Sequence, residues 1–375
     1  MLLTIVVFLL ILSVLVLIHE AGHYFTAKKM GVKVEEFGFG FPPRIWGKKV
    51  GETVYSINWL PIGGFVKLYG EDEAGGGKIT VSKGKNTAHT TAIKDAKRAF
   101  FSKNPWQRAA IVVAGVVMNF LLATVIISYL FAFVGVSAPG NMVQIVGLAK
   151  NAPAAKAGLK IGDTILAVDG KKVTDTNAVI AYTKAHEGKQ ITLQVETTSE
   201  KRESIKLTPR VKYPANEGAM GIAISQNTIT KKYPWYEAPF VGLKESAVES
   251  WMIVVGLWQA ITTAAIEHQV PAGLAGPVGI AQLTGQFIQI GPNAVLSLVA
   301  LLSLNLAILN VLPIPALDGG RLFFILIEAI TRKKVNQQFE SYVHAVGMAL
   351  LLALIVFITI HDLIRIFTHQ PLLPQ

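Results

Sequence analysis

Cysteine is absent from all 375 residues. That excludes disulfides, thiolate metal sites and a cysteine nucleophile. Charge is scarce as well: Asp, Glu, Lys and Arg make up 16% of the chain against 51% hydrophobic residues, which is rich for a soluble enzyme. The net charge of +11 is carried by lysines spread along the chain rather than massed in one segment. Nucleic acid is therefore not indicated as a partner. Basic loops against an anionic lipid surface are.

What is present is a set of long apolar runs. Residues 1–18 are apolar except for Thr4 and Ser13; as a helix they reach about 27 Å, just enough to span the hydrocarbon. No Lys or Arg precedes this run and no A-x-A site follows it before His19, which favours a membrane span over a cleaved signal peptide. A second span covers 109–136, with Trp106 and Arg108 as interfacial anchors at its start. A third apolar block, Ala294 to Ile330, is interrupted by Pro313, Pro315 and Asp318-Gly319-Gly320, and a fourth runs from Val343 to Ile360. Residues 250–266 lack charge but contain Ser, Gln and two Thr, and read as a helix lying at the interface. The expectation is a multi-pass α-helical membrane protein with four transmembrane helices. Between Tyr24 and Arg108 there are 15 Lys/Arg against 7 Asp/Glu, and Arg332, Lys333 and Lys334 follow the third block. The positive-inside rule puts both segments in the cytoplasm, and residues from Ser137 to about Pro292 outside.

At the end of the first span stands His19-Glu20-Ala21-Gly22-His23. Helical residues four apart share a face, so the two imidazoles can grip one metal ion, with Glu20 placed to take a proton from water. Three ionisable side chains at membrane depth are expensive and mark a functional site by default, rather than a polar helix cap. Catalytic zinc takes a third protein ligand. Asp318 is the best candidate, a carboxylate in an apolar block beside helix-breaking prolines and glycines; alone it would read as a turn residue. For Asp318 to reach the depth of the histidines, the third block must run from outside to inside. Two completed crossings before it satisfy that; a further span at 250–266 would reverse it. The Pro61-Ile62-Gly63-Gly64 turn followed by Phe65-Val66-Lys67-Leu68 reads as an edge strand able to pair with an unwound substrate.

Taken together these segments resemble the site-2 protease family of intramembrane zinc proteases, and within it the bacterial regulator of sigma-E protease group. HEAGH looks like the family's zinc motif and NVLPIPALDGGR like its second signature. NWLPIGGFVKLYGED resembles its membrane-inserted strand loop; FFSKNPWQRAAIVVAG and LAGPVGIA stand where the group has them. The resemblance implies one zinc ion per chain held by His19, His23 and Asp318, Glu20 as the catalytic residue, and Asn310 holding the substrate backbone. It also implies an inner-membrane enzyme that cleaves transmembrane proteins such as truncated anti-sigma factors, or leftover signal peptides. Val116 stands where the family commonly has proline after Ala114-Gly115, which leaves the geometry of the second span open.

Residues 143–211 read as short strands, at Val143–Gly147, Thr164–Val168, Gln190–Thr197 and Ser204–Pro209. The run from Ala152 to Gly170 resembles a bacterial PDZ domain, an α+β module inserted at about 137–226. Such domains take an extended peptide as an added strand and hold its C-terminal carboxylate on backbone amides; Gly218-Ala219-Met220-Gly221-Ile222 looks like that loop, with Gly221 a candidate contact. The expected order is then span one with the zinc motif at 1–25, a cytoplasmic-side loop with membrane-associated strands at 26–105, span two at 106–136 and the PDZ domain. Interfacial helices follow at 227–293, and spans three and four at 294–375. The loop from Ala74 to about Lys103 reads as a flexible segment. A catalytically silent PDZ-bearing scaffold would need no His/Glu/His/Asp set. A metal transporter would need more polar residues along its spans than Asn119 and His344.

Overall fold

The first apolar run closes into α1 (Leu2–Lys29). Leu2, Leu3, Ile5, Val6, Leu10 and Val14 are exposed, while Ile11, Ser13, Leu15, His19 and His23 are buried. That distribution suits a helix with lipid on one side and protein on the other. The computed structural model describes residues 2–71, 78–82, 88–92, 95–214, 217–267 and 275–368; parts of the loop expected from Ala74 to about Lys103 lie outside these. Two units emerge, one made of Met1–Ala132 with Pro234–Gln375 and the other of Phe133–Tyr233.

In the larger unit α1 is followed by two long strands, β1 (Val34–Val50) and β2 (Thr53–Leu68). Phe37 of β1 is opposite both Tyr55 and Val66, so the first part of β1 is flanked on both sides by the two halves of β2. The tip of this sheet lies along the helix, where the Ser13 hydroxyl donates to the Pro61 carbonyl at 2.9 Å. Ser13 is six residues before His19, so the strand loop reaches past the zinc motif to the apolar part of α1. Where a flexible segment was expected, a small hairpin follows, β3 (Lys78–Ser82) and β4 (Ala88–Ala92), and then two short helical turns, the second with Phe100 buried.

Helix α2 (Pro105–Tyr129) starts on a full capping box: Asn104 accepts from the Gln107 N–H while the Gln107 side chain accepts from the Asn104 N–H, with Pro105 at the first helical position. It runs unbroken through Val116. Arg108 is not the exposed anchor the sequence suggested. Only 3% of it is exposed, and it forms a 2.6 Å ion pair with Glu328, because leaving that buried charge unpaired would cost far more.

The smaller unit carries β5 (Val136–Leu148), α3 (Pro153–Lys156), β6 (Thr164–Val168), β7 (Lys171–Lys172), α4 (Thr176–Ala185), β8 (Ile191–Glu196), β9 (Arg202–Leu207) and β10 (Ile222–Lys231). The sheet order is β10-β5-β6-β8-β9, with β7 on β6. Val143, Ile145, Ile165, Val179, Ile191 and Leu193 lie in its core. The unit extends beyond the expected 137–226, because the opening of β5 needs a partner: Val136 is opposite Lys231 and Ser137 opposite Thr230.

Back in the larger unit, α5 (Ala238–Glu267) is one 30-residue helix rather than a short interfacial one. It joins four others, making five described helices long and apolar enough to cross a membrane. On its inward face Ser246 meets Thr124 at 3.1 Å, and Gly242 packs on Ser128. Next come α6 (Pro277–Ile290), α7 (Pro292–Val311), α8 (Asp318–Thr331) and α9 (Gln337–Phe367). The buried Asp362 carboxylate accepts from the Gly276 and Gly279 N–H groups at 3.0 and 2.7 Å, capping α6 from α9. The third apolar block is thus two helices, broken where Pro313 and Pro315 remove backbone donors.

Candidate metal centre and active site

Helix α1 crosses α2 antiparallel, with Gly22 packed on Ala114 and His23 Nδ1 lying 2.8 Å from the Ile111 carbonyl. A carbonyl only accepts, so Nδ1 carries the proton and leaves the Nε2 lone pair pointing inward. His19 Nδ1 meets the Asn119 side-chain amide at 3.3 Å. The Asn119 Oδ1 atom is buried without a partner. Turning that amide over would satisfy it with a proton on His19 Nδ1 and free His19 Nε2 in the same way. Gly115 provides the space for both rings, since a Cβ there would run into His23 Nε2 and His19 Cε1.

Asp318 arrives from the other end of the chain. Helix α7 is antiparallel to α2, its Ser303 hydroxyl donating to the Asn119 carbonyl at 2.8 Å and its Ala300 and Leu304 packing with Ala123 and Ile127. It therefore runs in the same direction as α1. After it the loop turns sharply: Ala316 holds φ 76, a strained value for a residue with a Cβ, and its N–H donates to His344 Nδ1 at 3.0 Å. Gly319 and Gly320 lie so close to the Leu312 and Ile314 carbonyls that no side chain would fit. Asp318 is then the first residue of α8.

These three side chains meet. Asp318 Oδ2 is 2.9 Å from His19 Nε2 and 3.1 Å from His23 Nε2, and the two Nε2 atoms are 3.1 Å apart. Among the described residues this is the one group of His, Cys, Asp or Glu able to share a metal ion. Ligand atoms bonded to zinc at 2.0–2.1 Å in a tetrahedron lie about 3.4 Å apart, a few tenths of an ångström wider than this triangle. Two inward lone pairs and a carboxylate repel one another unless a cation sits between them, and the nitrogen–oxygen set suits zinc. Glu20 lies beside them, its Oε2 accepting from the Val66 N–H at 3.0 Å. Glu20, His23, Phe65, Val66, Asp318 and Arg321 line one cavity of about 170 Å³, with Glu71 at its side.

A family profile for peptidase family M50 matches residues 7–354. The chain belongs to peptidase family M50. This M50 chain is 32% identical over 430 residues to the regulator of sigma-W protease RasP of Bacillus subtilis, covering 97% of this chain and 99% of that one. It is also 32% identical over 429 residues to the zinc metalloprotease RasP of Bacillus licheniformis, with the same coverage. It is accordingly an intramembrane zinc protease of the site-2 type. Among solved structures, the PDZ domain of an SdrC-like protein from Listeria innocua matches at 20% identity and TM-score 0.21, covering 23% of this M50 chain and 96% of that domain.

Not every expected residue of the M50 site is at the cavity. Phe65 lines it, whereas Gly64 packs toward Leu17 and Gly63 makes the turn with φ 78. Asn310, in the last turn of α7, is half-buried and does not line it. Gly221 belongs to the smaller unit and faces Ala152; the groove there, of about 370 Å³, is lined instead by Val179, Thr183, Met220, Ile222 and Ile224. Sequence reasoning missed Asn119, Glu71, Arg321 and His344 as parts of the site. Asn119 carried one signal, as an amide in a run otherwise free of strong polarity.

Proposed function

We propose that His19, His23 and Asp318 hold the zinc ion of this protease and that Glu20 carries the proton in hydrolysis of peptide bonds within transmembrane segments. The observation that carries the reading is the closed triangle of His19 Nε2, His23 Nε2 and Asp318 Oδ2. Bound there, zinc supplies Lewis acidity toward the scissile carbonyl and makes water acidic enough to attack at neutral pH. The protein residues do the rest. Ile111 and Asn119 fix the two imidazoles, the β2 segment Phe65–Leu68 presents an edge to an unwound substrate, and Glu20 takes the proton of the attacking water and returns it to the leaving amine. The domain reading is four spans with α5 at or within the interface, zinc motifs toward the cytoplasm, and residues 133–233 as a PDZ-type unit outside. Its apolar groove suits a peptide with an apolar C-terminus. Anti-sigma factors and remnant signal peptides are the substrate classes proposed, the first in keeping with the name of the Bacillus subtilis relative, a regulator of sigma-W protease.

Glu20→Gln should keep zinc and capture a transmembrane substrate without cleaving it, because the carboxylate is a proton carrier and not a ligand. Asp318→Asn should lose zinc and cleavage together. Elemental analysis of purified protein decides: full zinc occupancy with retained cleavage in Asp318→Asn removes that ligand from the site, and zinc loss in Glu20→Gln means its role is misassigned.

A further inference from the structure

One cationic side chain in the zinc pocket has no part in holding the metal or carrying the proton. Arg321 lines the same cavity as Glu20, His23 and Asp318. It stands three residues after Asp318 on α8, and residues at that spacing share a helix face. Its guanidinium is held by the Glu71 carboxylate. That carboxylate is itself fixed, since its other oxygen accepts from the Leu68 N–H at 3.3 Å, at the end of the strand whose Val66 N–H holds Glu20. The edge strand therefore carries both groups, the base directly and the cation through Glu71. A guanidinium has five donors. The Glu71 pair engages Nη1, and among the described residues no second hydrogen-bond partner occupies the guanidinium's other N–H groups. The other basic side chain lining the cavity is His23, whose Nε2 belongs to the metal triangle.

Peptide hydrolysis creates a negative charge that needs such a group. The water oxygen bonds to the carbonyl carbon, its proton goes to Glu20, and the carbonyl π pair moves onto the carbonyl oxygen. When that pair returns, the C–N bond breaks and the proton passes from Glu20 to the amine nitrogen. Between these two events the carbonyl oxygen carries the charge, in a pocket where few water molecules can screen it. A preplaced donor aimed at that oxygen is worth about 10²–10³ in rate in other hydrolases.

We propose that Arg321 is a catalytic residue that donates to the developing oxyanion, and that Glu71 is its positioning residue. This rests on the reading of His19, His23, Asp318 and Glu20 given above.

The test uses the full chain in detergent, a synthetic transmembrane peptide that the wild type cleaves, a phosphinic analogue of that peptide and a hydroxamate of the same sequence. In Arg321→Gln, zinc content and KM should match the wild type while kcat falls about 100-fold. Affinity for the phosphinic analogue, whose tetrahedral phosphorus carries the oxygen charge, should fall by a similar factor. Hydroxamate affinity should not change. Arg321→Lys should lie between, since a point charge replaces part of the fork. A kcat within threefold of wild type overturns the proposal. So does a loss explained by missing zinc or raised KM, which would make Arg321 a structural tether between α8 and the strand loop. Glu20→Gln runs beside it: cleavage that survives that change overturns the reading of the whole site, whatever Arg321 does.

Discussion

Gly115 shows how far the metal centre depends on a residue with no chemistry of its own. It lies on α2 where the imidazoles of α1 pass, and a methyl group there would overlap atoms of both rings. Neither ring can retreat freely, because His23 is tied to the Ile111 carbonyl and His19 to Asn119. Gly115→Ala should therefore push at least one Nε2 out of the triangle. Disturbing the groups that orient a ligand costs about 10–100-fold in metal affinity, and a loss in that range is expected from competition with a chelator. Gly256→Ala is the control, since nothing lies within 4 Å of the position a Cβ would take there. Wild-type zinc affinity in Gly115→Ala would show that the rings have room the structure does not reveal. His19, Glu20 and His23 were legible in the sequence because helical periodicity alone puts them together. Gly115 and Asn119 were not, since their roles arise only when α2, about a hundred residues later, is laid against α1.

The helices separate what apolar length predicts from what it cannot. The runs that became α1, α2 and α9 were plain, as was the break between α7 and α8, because prolines and glycines interrupt a helix by known sterics. Helix α5 was harder. Its polar residues lower its hydropathy, yet Ser246, before the expected 250–266, meets Thr124, and Thr262 donates to the Gln259 carbonyl; the helix extends past the limits its composition suggested. Gly242 at the start of α5 packs on Ser128, near the end of α2, and Gly285 of α6 packs on Thr4 of α1. Because α1 and α2 are antiparallel, both contacts lie toward the same end of the bundle. Whatever depth α5 reaches, the chain has returned to its starting end before α7 begins. Cysteine labelling tests the orientation cleanly, because the native chain has none. Thr331 and Asn177 are both exposed. A cysteine at Thr331 should be shielded from an impermeant maleimide added to intact cells, and one at Asn177 should react. The reverse pattern would invert the proposed topology.

At the scale of the whole chain, residues 133–233 form a unit that folds around its own core and contributes none of the side chains lining the zinc cavity. The sequence revealed its interior strands through alternation, but the last strand reads Ile-Ala-Ile-Ser-Gln-Asn-Thr-Ile-Thr-Lys. Its polar centre weakens the strand signal, and only pairing with β5 defines it. That pairing has a practical consequence. Val136 and Lys231 are opposite each other, and paired Cα atoms lie about 5 Å apart, so the unit leaves and re-enters the chain at nearly one point. Residues 136–231 can be replaced by a few Gly/Ser residues without stretching the ends of α2 and α5. If the unit selects substrates and takes no part in the chemistry, the deleted protein should bind a full complement of zinc. It should cleave a substrate already trimmed outside the membrane at a rate within a few-fold of the intact enzyme. It should also begin to cleave the untrimmed precursor, which the intact enzyme spares, because the barrier to a bulky outer domain has gone. Both substrates are run against both proteins, with zinc content as the check on folding. A zinc-loaded deletion that cleaves neither substrate would place the unit inside the catalytic assembly. One that still spares the precursor would move the selection to the membrane helices themselves.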